Sequence, residues 1–306
     1  FAPPIIGIWY WCTDQYIVQR VLSAKNVSEA RKGTIFAGYL KLLPIFMFFI
    51  PGLIAYAMTK TGQLNYGSSD QVFPTLVREL LPSGIRGLVA GGLLAALMSS
   101  LSSVFNSCST LFTMDIYKKL YPETNEKKLV FVGRIATGIV VLSGILWIPF
   151  IKVVSGAGLY TYLQSVQAYI APPIASVFLL GLFWSRINAS GALAALVGGF
   201  MAGMIRLGLE ITKSTLSVDG IWYQIADLNF LYFAIFSFLT CVIVLIAVSM
   251  LTPPPNLEKI NGLTYDTSKK NIAEADHLKS DKINSYIILA ILALILIYFS
   301  PIGIGG

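Results

Sequence analysis

The chain has 306 residues, 56% of them hydrophobic and only 12% charged, with a formal net charge of +7 and a mean hydropathy of +0.73. Soluble domains carry roughly 25% charged residues, so this composition excludes a water-soluble globular protein and indicates an integral membrane protein. The basic residues fall mostly in short loops between apolar runs, which is topological information and argues against a nucleic-acid partner.

About eight apolar segments are long enough to cross a hydrocarbon core of ~30 Å. They run roughly over 1–19, 33–58, 84–113, 129–154, 159–184, 189–211, 229–251 and 283–302. Only helices or closed barrels satisfy their backbone in lipid, and these runs are too long for barrel strands. The expected fold class is therefore all-α, a polytopic membrane helix bundle. Arg20, Lys25, Arg31 and Lys32 follow the first span, and Lys118, Lys119, Lys127 and Lys128 follow the third. Arg186 follows the fifth, and Lys259, Lys269, Lys270, Lys279 and Lys282 follow the seventh. The positive-inside rule then puts the start of the first span outside and the end of the chain outside. The stretch 59–83 reads as an external cap, and 252–282, opening with Pro253-Pro254-Pro255, as a cytoplasmic linker. With Phe1 as its first residue and no polar leader, the chain reads as a piece of a longer protein whose N-terminal part is a missing partner.

Chemistry is sparse. Cys12, Cys108 and Cys241 lie in apolar segments without metal-binding spacing and read as buried thiols. The single histidine, His277, falls in a polar loop, so no base accompanies a Ser or Cys nucleophile and the chain is not expected to be an enzyme.

The first span carries Trp9-Tyr10-Trp11-Cys12-Thr13-Asp14-Gln15. Aromatic faces beside an acid, an amide and a hydroxyl suit a ligand with both C–H faces and hydroxyls, such as a sugar. An interfacial aromatic belt, with Asp14 and Gln15 among headgroups, accounts for the same residues. In the second span Lys41 either snorkels to the cytoplasmic interface or meets a polar partner inside the bundle. The third span sets Ser99, Ser103, Asn106, Thr110 and Thr113 at three- and four-residue steps on one helix face. Small-residue packing explains such a face, and so does a site for a hard cation, which wants several oxygens. The fifth span opens with Tyr160, Thr161, Tyr162, Gln164, Ser165 and Gln167 and continues to Pro172-Pro173. An amide donates and accepts at once, as a sugar hydroxyl requires, and prolines free backbone carbonyls where a transporter helix bends. An ordinary proline kink gives the same pattern.

Taken together, Trp9 to Gln15 with Val18-Gln19-Arg20, Leu22-Ser23-Ala24-Lys25-Asn26, Gly38-Tyr39-Leu40-Lys41-Leu42, Leu97 to Tyr117, Tyr162-Leu163-Gln164-Ser165 and Ala171-Pro172-Pro173-Ile174-Ala175 resemble the sodium–glucose cotransporter branch of the sodium/solute symporter family. The resemblance covers nearly the whole chain and is weakest over 59–83 and 212–282. It implies a LeuT-like inverted-repeat transporter fold, with residues 1–184 as the second five-helix repeat and 185–306 as peripheral transmembrane helices containing the linker at 252–282. It also implies a multi-pass protein of the plasma membrane and a sodium-coupled symporter for a glucose- or galactose-type sugar, working by alternating access. A sodium symporter for another solute, such as an inositol or an organic acid, and a sugar sensor that does not transport are the alternatives.

Position by position, Tyr10 resembles the aromatic that closes under the sugar, with Trp11 beside it. Lys41 and Gln164 resemble partners of the sugar hydroxyls, and Tyr160 an outer aromatic gate. The Ala96 carbonyl with Ser99 and Ser100 resembles half of the main sodium site. Ser102 and Ser103 stand where some members place ligands of a second sodium. Sodium is expected as the coupling ion, with no prosthetic cofactor. Thr161 and Gln167 depart from side chains common in animal glucose carriers.

Overall fold

The computed structural model describes residues 2–154, 158–265, 267–268 and 278–300, and every regular element among them is helical. Seven helices are long and apolar enough to cross a membrane: Val27–Lys60, Ser83–Leu120, Glu126–Pro149, Leu159–Phe183, Ala189–Ile211, Phe230–Leu251 and Ser280–Tyr298. These match seven of the expected spans. The other, the first, is not one helix. Residues 266 and 269–277, with Lys269, Lys270 and His277 of the expected linker, lie outside the described residues, as do Phe1 and the end of the eighth expected span.

Helix α1 (Ala2–Ile8) runs into a π turn at Trp9–Thr13, and the chain becomes extended at Asp14 (φ −73°, ψ 118°). Helix α2 (Gln15–Leu22) starts afresh from there. The cause is local: the Asp14 carbonyl accepts from the amides of Ile17 and Val18 at 3.1 and 2.9 Å, and its carboxylate from Tyr16 N at 3.4 Å. Asp14 is an N-cap, a role that requires non-helical backbone. Helix α3 (Val27–Pro44) begins at the cap Asn26, whose side chain accepts from Glu29 N, and passes through a second π turn, Ile45–Phe49, into α4 (Ile50–Lys60). Pro44 has no N–H to give, which removes one helical hydrogen bond just before that turn. The expected external cap contains a short amphipathic helix, α5 (Val72–Leu80), which buries Leu76 with Leu64 against Ala55 of α4.

Helix α6 (Ser83–Thr110) continues through a third π turn, Leu111–Tyr117, into α7 (Lys118–Leu120). The span-length helix α8 (Glu126–Val154) follows, then α9 (Leu159–Phe183), α10 (Ala189–Ile211), the short α11 (Ile221–Asp227), α12 (Phe230–Leu251), α13 (Leu257–Ile260) and α14 (Leu278–Tyr298).

Contacts divide the chain into two compact units, Phe1–Val18 with Pro82–Thr267 and Gln19–Leu81 with Ser268–Gly306. Within the second, Tyr39 of α3 donates to Asn284 Oδ1 of α14 at 3.0 Å and Phe49 meets Phe299 edge-on at 4.6 Å.

The first unit is built on α9, α10 and α12. Lipid tails are as apolar as leucine, so burial alone does not join helices in a bilayer; close van der Waals packing does. Helix α10 allows it with small residues at every fourth position, Gly191, Ala195, Gly199 and Gly203, all buried. A Cβ on Gly199 would stand 2.6 Å from Pro173 Cβ of α9 and 2.6 Å from Cys241 Sγ of α12; one on Gly203 would stand 2.8 Å from the Tyr169 carbonyl. Pro173, one of the two prolines expected to kink the fifth span, thus packs against the glycine stripe, and both prolines are buried. Asn188 caps α10 by accepting from Gly191 N and also donates to Thr252 and to the Pro253 carbonyl, while Arg186 donates to the Thr252 carbonyl, tying the 184–188 turn to the end of α12. Of the three expected buried thiols only Cys241 is buried. Cys108 is partly covered and Cys12 is exposed.

Candidate functional site

The residues around the break at Asp14 hold one another. Thr13 Oγ1 donates to the Trp9 carbonyl at 2.5 Å, and the Tyr10 and Tyr16 hydroxyls lie 2.7 Å apart across the break. The Tyr10 ring meets Trp11 edge-on at 5.4 Å and Tyr16 at 6.2 Å, an arrangement aromatic pairs favour. Tyr10 is half-buried and Trp11 is 41% exposed, leaving an aromatic surface beside a carboxylate and hydroxyls. The π turn packs against α9, so the structure brings this aromatic group to the helix carrying Tyr160 and Gln164. Gln164 is partly covered, whereas Tyr160 is 72% exposed at the start of the helix. Between them Tyr162 is buried, its hydroxyl accepting from Trp147 Nε1 of α8 at 3.2 Å. Lys41 belongs to the second unit, three residues ahead of Pro44.

Helix α6 is bare where the cation candidates lie. Ser99, Ser100 and Ser102 are exposed and Ser103 is partly so. Ser102 Oγ donates to the Met98 carbonyl at 2.7 Å and Ser103 Oγ to the Ser99 carbonyl at 3.0 Å. The Ser102 bond uses its hydroxyl proton and leaves its oxygen able to accept, the polarity a cation requires. Ala96, Ser99 and Ser100 lie just before Ser102 and Ser103 on the same exposed helix. Further along, α6 and α8 meet through Ser109 Oγ, which donates to the Gly133 carbonyl at 2.8 Å, with Thr137 donating to the same carbonyl at 3.0 Å.

Two arginines escape sequence reading by pattern, although an ionisable residue inside a span is itself a signal. Arg134 lies eight residues into α8 and lines a groove against α6. Arg206 of α10 is 2% exposed; it donates to the Leu228 carbonyl at 2.6 Å, its guanidinium lies 5.7 Å from the Phe233 ring, and the Tyr169 hydroxyl bonds the neighbouring Glu210. Beyond it, in the loop, Lys213 pairs with Asp227 at 2.6 Å; that hydrogen bond holds the Asp227 carboxyl below, and the Lys213 ammonium above, their ordinary ranges.

These features define a polytopic helical membrane protein with a discontinuous first helix and polar groups gathered at the break and along one helix face. Residues 5–199 match the sodium:solute symporter family, and the chain belongs to that family. It is 39% identical over 292 residues to sodium/myo-inositol cotransporter 2 of Mus musculus, covering 90% of this chain and 43% of that protein. It is 42% identical over 275 residues to sodium/glucose cotransporter 1 of Ovis aries, covering 83% and 41%, and 39% identical over 283 residues to sodium/glucose cotransporter 4 of Danio rerio, covering 87% and 43%. The chain thus spans less than half the length of these relatives. Membership agrees with the seven membrane-length apolar helices of a multi-pass membrane protein.

Proposed function

We propose that the chain is the C-terminal portion of a sodium-coupled symporter for a polyhydroxylated ring, a glucose- or galactose-type sugar, working by alternating access. In this reading residues 1–184 form the second five-helix repeat and 185–306 the peripheral helices. The observation that carries it is the helix break at Asp14, with the rings of Tyr10, Trp11 and Tyr16 around it and α9 against it. Transporters bind solute at discontinuous helices of this kind, where unwound backbone and polar side chains meet. Tyr10 and Trp11 would cover the C–H faces of the ring, Gln164 would bond its hydroxyls, and Tyr160 would gate the outer side. The Ala96 carbonyl with Ser99 and Ser100 would supply half of a sodium site, and Ser102 and Ser103 ligands of a second.

Sodium drives uptake when it binds the solute-competent state more tightly than the other. One charge crossing 100 mV yields about 2.3 kcal/mol, and a tenfold sodium gradient adds about 1.4 kcal/mol. Together they sustain roughly several-hundred-fold accumulation. A second reading, myo-inositol as the solute, is favoured by the relatives bearing that name at about 40% identity. Uptake of labelled D-glucose and myo-inositol by the full-length protein, with sodium and with choline in its place, tests both. Sodium-dependent uptake of one ring identifies the solute, and uptake of neither removes the proposal.

A further inference from the structure

Residues 212–229 join α10 to α12 and take no part in the proposed solute site. The Lys and Arg distribution puts this loop outside. Its α-helix, α11, is pinned against the bundle. Lys213 Nζ bonds Asp227 Oδ1 at 2.6 Å and lies 5.3 Å from the centre of the Tyr223 ring. Arg206 of α10 donates to the Leu228 carbonyl at the end of the helix, also at 2.6 Å. Ala226, 3% exposed, is buried between these points.

The side of α11 turned away from the bundle is itself divided. On a helix turning about 100° per residue, Tyr223 and Ala226 mark the covered side. Ile221, Ile225 and Trp222 then span about 100° of the remaining arc, and Gln224 with Asp227 span about 60° on the other flank. Ile221 is 66% exposed and Trp222 56%. A surface helix normally turns its large apolar residues inward. Here a small residue and a ring face α10, and isoleucine and tryptophan face out.

Depth says what covers that arc. Only Leu228 and Asn229 separate α11 from Phe230, where the membrane span α12 begins. Three residue steps reach at most about 10 Å, so the end of α11 stays that close to the point where α12 enters the membrane. The headgroup layer outside a hydrocarbon core of ~30 Å is itself ~5–8 Å deep. Tryptophan favours that layer. The arc also continues a lipid-covered surface: α11 packs on α10, and Ile205 and Ile211 on the outer half of that span are more than half exposed. Charge selects the lipid. Residues 212–229 hold Lys213 against Asp219 and Asp227, one positive and two negative, and the lysine is already paired with Asp227. Anionic headgroups, which basic clusters attract, therefore gain nothing here.

We infer that α11 is an interfacial helix that lays Ile221, Ile225 and Trp222 into the outer leaflet of an uncharged, phosphatidylcholine-type membrane, with Gln224 and Asp227 turned to water. It anchors the outer end of α10 sideways in the lipid, as amphipathic helices lying in the membrane plane do. The inference stands on this loop and holds whichever solute is carried.

The test uses the full-length protein in phosphatidylcholine vesicles, with Ile221→Cys, Trp222→Cys and Gln224→Cys each labelled with bimane. Wild type carried through the same labelling supplies the background from native cysteines. The quantity read is fluorescence quenching by lipid with a nitroxide near its headgroup, divided by quenching by aqueous iodide present on both sides. That ratio should be several-fold higher at 221 and 222 than at 224, and should not change when phosphatidylserine is added. If either variant fails to insert, Ile225→Cys on the same arc is read in its place and should also give the high ratio. A ratio at 221 and 222 as low as that at 224 puts the arc in water and overturns the inference. Protection from both quenchers means that the upstream part of the protein or a second copy covers the helix, which overturns it equally. A lipid signal that requires phosphatidylserine removes the assignment to an uncharged membrane and overturns it as well.

Discussion

Helices α9, α10 and α12 form a packed bundle, whereas α6, equally long and apolar, is almost bare. The most apolar 18-residue window of α9 is 39% buried and that of α6 is 0% buried. Both helices are rich in small residues, so composition does not separate them. The difference is that a Cβ on Gly191, Gly199 or Gly203 of α10 would come within 3 Å of side chains or backbone of α9 and α12, while one on Gly87, Gly91 or Gly92 of α6 would meet nothing within 4 Å. One region packs helix on helix within this chain. The other presents oxygens and glycines to a surface that this chain leaves open, in keeping with a length under half that of its relatives.

The sharpest way to break that comparison is with glycine substitutions. Gly199→Leu puts a whole side chain where even Cβ is 2.6 Å from a rigid proline, and is expected to abolish recovery of folded protein in fluorescence-detected size-exclusion chromatography. Gly92→Leu should leave the unfolding midpoint of this chain unmoved. In the full-length protein it should be costly if α6 acquires a helix partner there. Equal tolerance at both positions would sink the contrast.

Next in size is Gln164→Ala in the full-length protein. Loss of a buried polar partner at ~1–3 kcal/mol corresponds to a solute KM raised roughly 5- to 150-fold. Unchanged uptake would remove Gln164 from the site. Ser99→Ala with Ser100→Ala deletes two oxygens and little volume, so surface expression should hold while half-saturating sodium rises about tenfold, or ~1.4 kcal/mol. If the serines only pack helices, alanine serves as well and sodium dependence stays at the wild-type value.

Asp14→Ala removes the cap of α2 and should lower stability by about 1 kcal/mol, read as a shift in the unfolding midpoint. The smallest effect belongs to the loop pair Lys213–Asp227. A carboxyl held below its ordinary range contributes stability above its unfolded pKa and loses it as pH falls through the folded value. Protection of the 212–229 loop from proteolysis should therefore weaken on acidification below about pH 4, and less so in high salt.

Length and hydropathy made α6, α8, α9, α10, α12 and α14 legible, because a 20-residue apolar run has few alternatives in lipid. The break at Asp14 was not legible, since the aromatic run around it keeps a helical share of apolar residues and the cap is made by one residue. Helix α5 was hidden in a polar stretch by its brevity. At the candidate site, the three-and-four spacing from Ser99 to Thr113 declared one wall of the groove. The other wall, Gly133, Arg134 and Thr137, was hidden because local sequence does not say which helices pair.

The three π turns have a consequence for how this chain tolerates change. A π turn is an α-helix carrying one residue too many, so everything after it is rotated by about 100° relative to a continuous helix. At Ile45–Phe49 this means that the faces of Val27–Pro44 and of Ile50–Lys60 are set independently, and the surplus residue is the register key between them. A single-residue deletion there would let the helix close up without a gap, yet turn Ile50–Lys60, together with Leu64 and Leu76 that pack on its Ala55, by about 100° relative to Val27–Pro44. Such sites make length changes, and not substitutions, the mutations by which one half of a span can be re-aimed while the other half stays in place.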